Sequence, residues 1–92
     1  MSEQLQSADE IKESVRAFMA KITERDPDEI LDSNDFEKDL DIDSLMAMEI
    51  MVSVNKKYRI EILDEEFGTI RNLEDAVKAV QRHLGARGQK TS

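Results

Sequence analysis

The residues best suited to chemistry lie in Asp39-Leu40-Asp41-Ile42-Asp43-Ser44-Leu45, where an acidic run meets an apolar helical pattern. Ser44 falls in the predicted first turn of that helix. There the leading N–H groups lack intrahelical partners and the helix dipole favours negative charge by about 0.3–1 kcal/mol, so an exposed hydroxyl tolerates an anionic substituent. Two other chemistries find less support. A serine nucleophile needs an adjacent base, but the only histidine, His83, is near the far end of the chain with no motif linking it to Ser44. Asp39, Asp41 and Asp43 fit positions 1, 3 and 5 of a calcium loop, yet Ser44 stands where glycine is required and Ile50 where the closing glutamate belongs. No catalytic residue and no metal site are expected.

The charge distribution points to the kind of partner. The chain carries a net −8, and the ten acids and two bases between Glu24 and Asp43 account for all of it. Phosphate binding needs a basic surface, so nucleic acid is not an expected partner. A basic protein patch is the natural counterpart of Asp39, Asp41 and Asp43. Charge runs usually do no more than keep a loop solvated; this one leads directly into Ser44. The absence of cysteine excludes disulfides and zinc thiolates, and any thiol must arrive with a cofactor. No signal-peptide pattern opens the chain and no apolar run approaches the roughly 20 residues of a membrane span, so a cytoplasmic location is expected.

Four helices must position these residues. Ser7 and Glu10 form a capping box ahead of Ile11, Val15, Phe18, Met19 and Ile22, one apolar stripe at helical period, ending before Pro27. A long connection from Asp26 to Asp43 follows, with Phe36 and Leu40 as the apolar pins that keep it ordered and a short helical turn near Asp28 to Leu31. The second helix, Ser44 to about Tyr58, carries two stripes. Ala47, Ile50, Met51, Val54 and Tyr58 make a core face. Leu45, Met48 and Val52 fall roughly opposite, either wet and open to a partner or tucked beneath the loop or the third helix. Arg59 to Leu63 alternates like a strand but has nothing to pair with. Asp64 is read as the cap of a short helix stopped by Gly68, and Asn72 as the cap of a last helix with Leu73, Ala76, Val77, Val80 and Leu84 inward. Gly85 should close that helix, leaving Arg82 and His83 in its last turn against the negative dipole end. One domain is expected, with an ordered core over about 8–84 and flexible tails over 1–6 and 86–92.

Phe36, Asp39-Leu40, the Asp43-Ser44-Leu45 triplet, Glu49, Tyr58, Ile60-Glu61-Ile62, Asp64-Glu65-Glu66 and the closing Leu73 to Leu84 helix together resemble an acyl carrier protein over nearly the whole chain. The triplet alone is weakly specific; its place at the head of a helix, after a long acidic loop and before a short helix, is strongly so. The resemblance implies an all-α four-helix bundle with a short third helix and a long loop between helices one and two. It implies 4'-phosphopantetheine covalently on Ser44, transferred from coenzyme A by a phosphopantetheinyl transferase and ending in a thiol that holds acyl groups as thioesters. Asp43, Leu45, Met48, Glu49 and Val52 would form the face read by that transferase and by acyl-handling synthases, transferases or ligases with basic docking patches. The alternative is an unmodified helical interaction module with an acidic docking face. The protein is expected to be a monomer and not an enzyme. Asp41 stands where the family usually has glycine, Leu63 where it often has proline, and Lys56, Lys57 and Arg59 at positions that are often acidic in housekeeping fatty-acid carriers. These departures suggest a discrete carrier of a specialised acyl or polyketide-like pathway.

Overall fold

A computed structural model of the chain describes the backbone of residues 7–91 and the side chains through residue 85. The expected flexible segment 1–6 lies outside the described residues. Four α-helices follow in order: α1 (Ala8–Thr23), α2 (Ser44–Tyr58), α3 (Asp64–Phe67) and α4 (Leu73–Thr91). A 3-10 turn at Pro27–Glu29 interrupts the connection between α1 and α2, and no strand occurs among the described residues.

α1 starts where the capping box requires. The Glu10 N–H donates to Ser7 Oγ at 3.1 Å and the Ser7 N–H to Glu10 Oε1 at 3.3 Å, so two donors without helical partners are satisfied reciprocally. It ends on Glu24 in the left-handed conformation. α1 is the central element and packs against both α2 and α4. Ile11, Val15 and Met19 from α1, Ile50 from α2, and Leu73 and Val80 from α4 are almost completely buried. Each such side chain contributes roughly 1.5–3 kcal/mol of transfer free energy, before the entropy of ordering the chain is subtracted.

The long connection joins the same core. Ile30, Phe36, Leu40 and Ile42 are all buried, so Phe36 and Leu40 are pins as expected and Ile30 and Ile42 are two more. Leu31, next to Ile30, is exposed. Arg16 of α1 anchors the loop from outside the core. Its guanidinium donates to the Ile30 carbonyl and reaches Asp32 at 2.9 Å, and Lys12 reaches the other Asp32 oxygen at 2.8 Å. The Lys12 hydrogen bond, with help from Arg16, holds the Asp32 carboxyl below its ordinary value of 3.8. Further on, the Phe36 N–H donates to the Arg71 carbonyl at 2.8 Å, tying the loop to the α3–α4 connection.

Three expectations about the C-terminal half need correction. Asp64 is the first residue of α3 instead of its cap. Leu63 occupies the cap position, and no side-chain bond is made there. Nor does Gly85 end α4, which continues to Thr91 through the segment expected to be a tail. A glycine costs a helix about 1 kcal/mol without breaking it, and Ala86, Arg87, Gln89 and Lys90 are good or tolerable helix formers. Arg82 and His83 consequently do not sit in a last turn. They reach across to α3, where Glu66 accepts from Arg82 at 2.7 Å and lies 2.9 Å from His83 Nε2. His83 first, then Arg82, pulls the Glu66 carboxyl below its ordinary value of 4.5. On so short a helix this pair supplies the attachment that one turn of backbone cannot.

Because Asp32 binds protons less readily folded than unfolded, its contribution is complete above the ordinary carboxylate range. It is lost as pH falls through its lowered folded-state value. Asp32→Asn should therefore melt below wild type at about pH 7, with the gap closing towards about pH 3; an equal gap at both would show that the carboxylate charge is not what matters. A second expectation concerns Asp41, whose φ of 56° is left-handed. Glycine enters that region without the side-chain clash, so Asp41→Gly should raise stability by roughly 0.5–1 kcal/mol in urea melts, after allowing for its greater unfolded-state freedom. A fall would mean that the Asp41 carboxylate, 4.0 Å from Arg25, contributes more than the backbone strain costs.

Candidate functional site

Ser44 is the first residue of α2 and is exposed. Asp43 caps the helix, its Oδ1 accepting from the Met46 N–H at 2.9 Å while its carbonyl accepts from Ala47 at 2.9 Å. The Ser44 and Leu45 N–H groups make no hydrogen bond to the described residues. Two free donors and the positive dipole end thus surround a solvent-facing hydroxyl, an environment that fits a phosphodiester on the Ser44 oxygen. Asp43 opposes such an anion in part, but its carboxylate is already engaged with the helix.

The acids leading to Ser44 divide into two kinds. Asp35 and Asp39 hold the loop itself: the Asp35 N–H donates to Asp39 Oδ2 at 2.7 Å, and Asp35 Oδ2 accepts from Glu37 and Lys38 at 3.0 and 2.8 Å. The bond from the Lys38 N–H is the main reason the Asp35 carboxyl lies below its ordinary value. Asp41 instead projects into solvent, its side chain 88% exposed. Among the described residues no group of three or more acids or histidines is placed to hold a metal ion.

Both stripes of α2 are where helical spacing puts them. Ile50, Met51, Val54 and Tyr58 are buried and Ala47 is half-buried, whereas Leu45, Met48 and Val52 are 67%, 51% and 54% exposed. Neither the loop nor α3 covers the outer stripe. It forms one wall of an apolar groove of about 550 Å³, with Phe18 and Ile22 of α1 as the other wall and Lys21, Glu49 and Ser53 at its edges. Phe18 and Ile22 belong to the same sequence stripe as Ile11 and Val15, and nothing in their spacing marks them as groove residues. They are only half-buried because the exposed face of α2 lies alongside the C-terminal half of α1.

On the other side of Ser44 a cleft of about 400 Å³ lies between the loop and the α3 region, lined by Phe36, Ile42, Ala47, Phe67 and Ile70. Arg71 also lines it and is the cation in that cleft. Sequence reading missed Phe67, Ile70 and Arg71, and the alignment of the α3–α4 connection with the loop, through Phe36 and Arg71, is what brings them beside Ser44. Ser44 itself lines this more polar cleft, and its neighbour Leu45 lines the apolar groove. No helix among the described residues is long and apolar enough to cross a membrane.

Comparison with known proteins identifies the family. A family described as "Phosphopantetheine attachment site" matches residues 13–80. The polyketide-8 synthase acyl carrier protein 2 of Streptomyces avermitilis is 36% identical over 74 residues, which cover 80% of this chain and 85% of that protein. The meromycolate extension acyl carrier protein of Mycobacterium tuberculosis is 35% identical over 74 residues, 80% of this chain and 64% of that protein. An acyl carrier protein of Phenylobacterium zucineum is 32% identical over 77 residues, 84% of this chain and 98% of that protein. The chain belongs to the acyl carrier protein family: it is a carrier and not an enzyme, holding acyl groups on 4'-phosphopantetheine for acyl-handling biosynthetic enzymes.

Proposed function

We propose that Ser44 is the residue that bears the phosphopantetheine, and that a separate phosphopantetheinyl transferase attaches it from coenzyme A. The single observation that carries this is the exposed hydroxyl at the first position of α2, beside the unpaired Ser44 and Leu45 N–H groups. When bound, the group supplies a long flexible arm ending in a thiol, on which an acyl group is carried as a thioester. The chain's own residues hold and present it. Asp43 caps α2, so the oxygen that bears the arm is fixed at a helix end. Leu45, Met48 and Val52 offer partners an apolar surface along the groove, and Asp41, Asp43 and Glu49 offer the negative charge that steers basic docking patches towards it.

Asp39 adds to that field while also bracing the loop. The carrier acts as a monomer in the cytoplasm, where coenzyme A and its partner enzymes are available, and meets each partner transiently. The names of its relatives in Streptomyces and Mycobacterium favour a specialised chain-building pathway, of polyketide or long-chain lipid type, over housekeeping fatty-acid synthesis. Lys56, Lys57 and Arg59 favour the same reading, because they replace acids expected of a housekeeping carrier.

Intact mass after incubation with coenzyme A, magnesium and a broad-specificity transferase tests the attachment site. A gain of one phosphopantetheine in wild type, absent from Ser44→Ala, is the expected result. A gain in both would move the arm to another residue, and a gain in neither, under conditions that load a known carrier, would favour an unmodified interaction module. Met48→Glu, at an exposed position, should keep wild-type helicity by circular dichroism yet slow acyl transfer to partners about tenfold or more. Loss of helicity would instead put Met48 in the core.

A further inference from the structure

The exposed face of α2 does not end at Val52. Lys56 follows Val52 at i+4, a spacing that keeps it on the side of Leu45, Met48 and Val52, and Arg59 is the residue that ends α2, in the left-handed conformation. Both cations are exposed, and neither makes an ion pair with a described residue. Lys57 differs: it projects elsewhere and sits 5.6 Å from the centre of the Tyr58 ring. A third exposed cation, Lys21 of α1, stands at the edge of the groove that the same face forms. Going the other way, the face runs into Asp43, Asp41 and the excess of acids before Ser44. Lys56 lies about 18 Å along the helix axis from Ser44, at about 1.5 Å per residue. A single partner footprint of ordinary size spans that distance.

We infer that α2 is a bipolar docking helix, whose Lys56 and Arg59 end takes an acidic surface on the acyl-handling partner while the Ser44 end takes a basic one. The inference rests on the proposal that Ser44 bears the arm, and adds to it the partner's charge pattern. Such a partner is basic at the mouth of its active site and acidic about 18 Å away along the helix track. Two poles of opposite sign set the direction in which α2 lies across the partner, which one uniformly acidic face does less strictly. They also penalise a wrong partner: an enzyme basic along the entire track places like charge against Lys56 and Arg59. The apolar groove between the poles supplies contact area, and the poles supply selection.

The test uses as probe a β-ketoacyl synthase whose carrier-docking surface is basic along its whole length, and the same synthase with two acidic substitutions where it meets the far end of α2. Wild-type carrier and Lys56→Glu/Arg59→Glu are each loaded with a pantetheine crosslinker that traps the synthase active-site cysteine, with complete loading read from intact mass. Wild type should crosslink about tenfold faster to the acid-substituted synthase than to its parent, and the charge-reversed carrier should show the opposite order. Both preferences should shrink as salt is raised towards about 0.5 M. A Lys56→Gln/Arg59→Gln carrier, which adds no new charge, should fall between them and checks that the reversal has not merely disturbed α2. Rates within about twofold for all four pairings would overturn the inference and leave the arm on Ser44 intact. Failure of wild type to load would bring down the Ser44 reading itself, and this one with it.

Discussion

Burial of Ile30, Phe36, Leu40 and Ile42 is the constraint on which the rest depends, because these four side chains convert the connection between α1 and α2 into part of the core. A segment with ten acids and two bases has little tendency to collapse alone. Each pin returns apolar free energy that offsets ordering entropy and charge repulsion together. Arg16 completes the attachment by satisfying the Ile30 carbonyl and pairing with Asp32 at the point where the loop enters the core. With the loop held at both ends, Asp43 is delivered to the cap position and Ser44 to the first turn of α2.

The acids are therefore not a uniform coat. Asp32, Asp35, Asp39 and Asp43 each accept a hydrogen bond that shapes the loop or caps a helix, and the field they create outside is a by-product. Asp41 accepts no hydrogen bond from the described residues and only approaches Arg25, at 4.0 Å. It occupies a left-handed position that suits glycine and has almost no shelter from solvent. Its carboxylate is best explained by what it presents, since its backbone conformation would be easier for a residue with no side chain.

In a chain this small, a helix can bury only one face, and what it leaves wet is available for function. α2 leaves Leu45, Met48 and Val52, and α1 contributes Phe18 and Ile22 to the same groove. The groove lies on one side of Ser44 and the Arg71 cleft on the other. On the proposed reading, an arm on Ser44 starts within that cleft and beside Leu45 of the groove.

Much of this was legible in the residues themselves. Capping by Ser7 and Asn72 is local chemistry between groups three residues apart and was found from the sequence, whereas Asp64, read as a cap on the same grounds, begins its helix instead. The two faces of α2 follow from helical periodicity, and the exposure of Leu45, Met48 and Val52 matches it. Ser44 as the residue of interest came from the same local pattern. What periodicity left open was whether the outer stripe is covered, because that depends on where the loop and α3 lie, and neither position is encoded within α2. Long-range partners were equally out of reach. Glu66 bound to His83 and Arg82, Asp32 bound to Lys12 and Arg16, and Arg71 brought beside Ser44 are all meetings of residues far apart in the chain. The continuation of α4 past Gly85 had a different cause: a glycine is a weak stop when good helix formers follow it. Sequence alone determined where α1, α2 and α4 begin and which way their apolar faces point, since those choices are made within one or two turns. Only the tertiary structure decided which faces stay wet and which charges meet, because those are set by packing between elements.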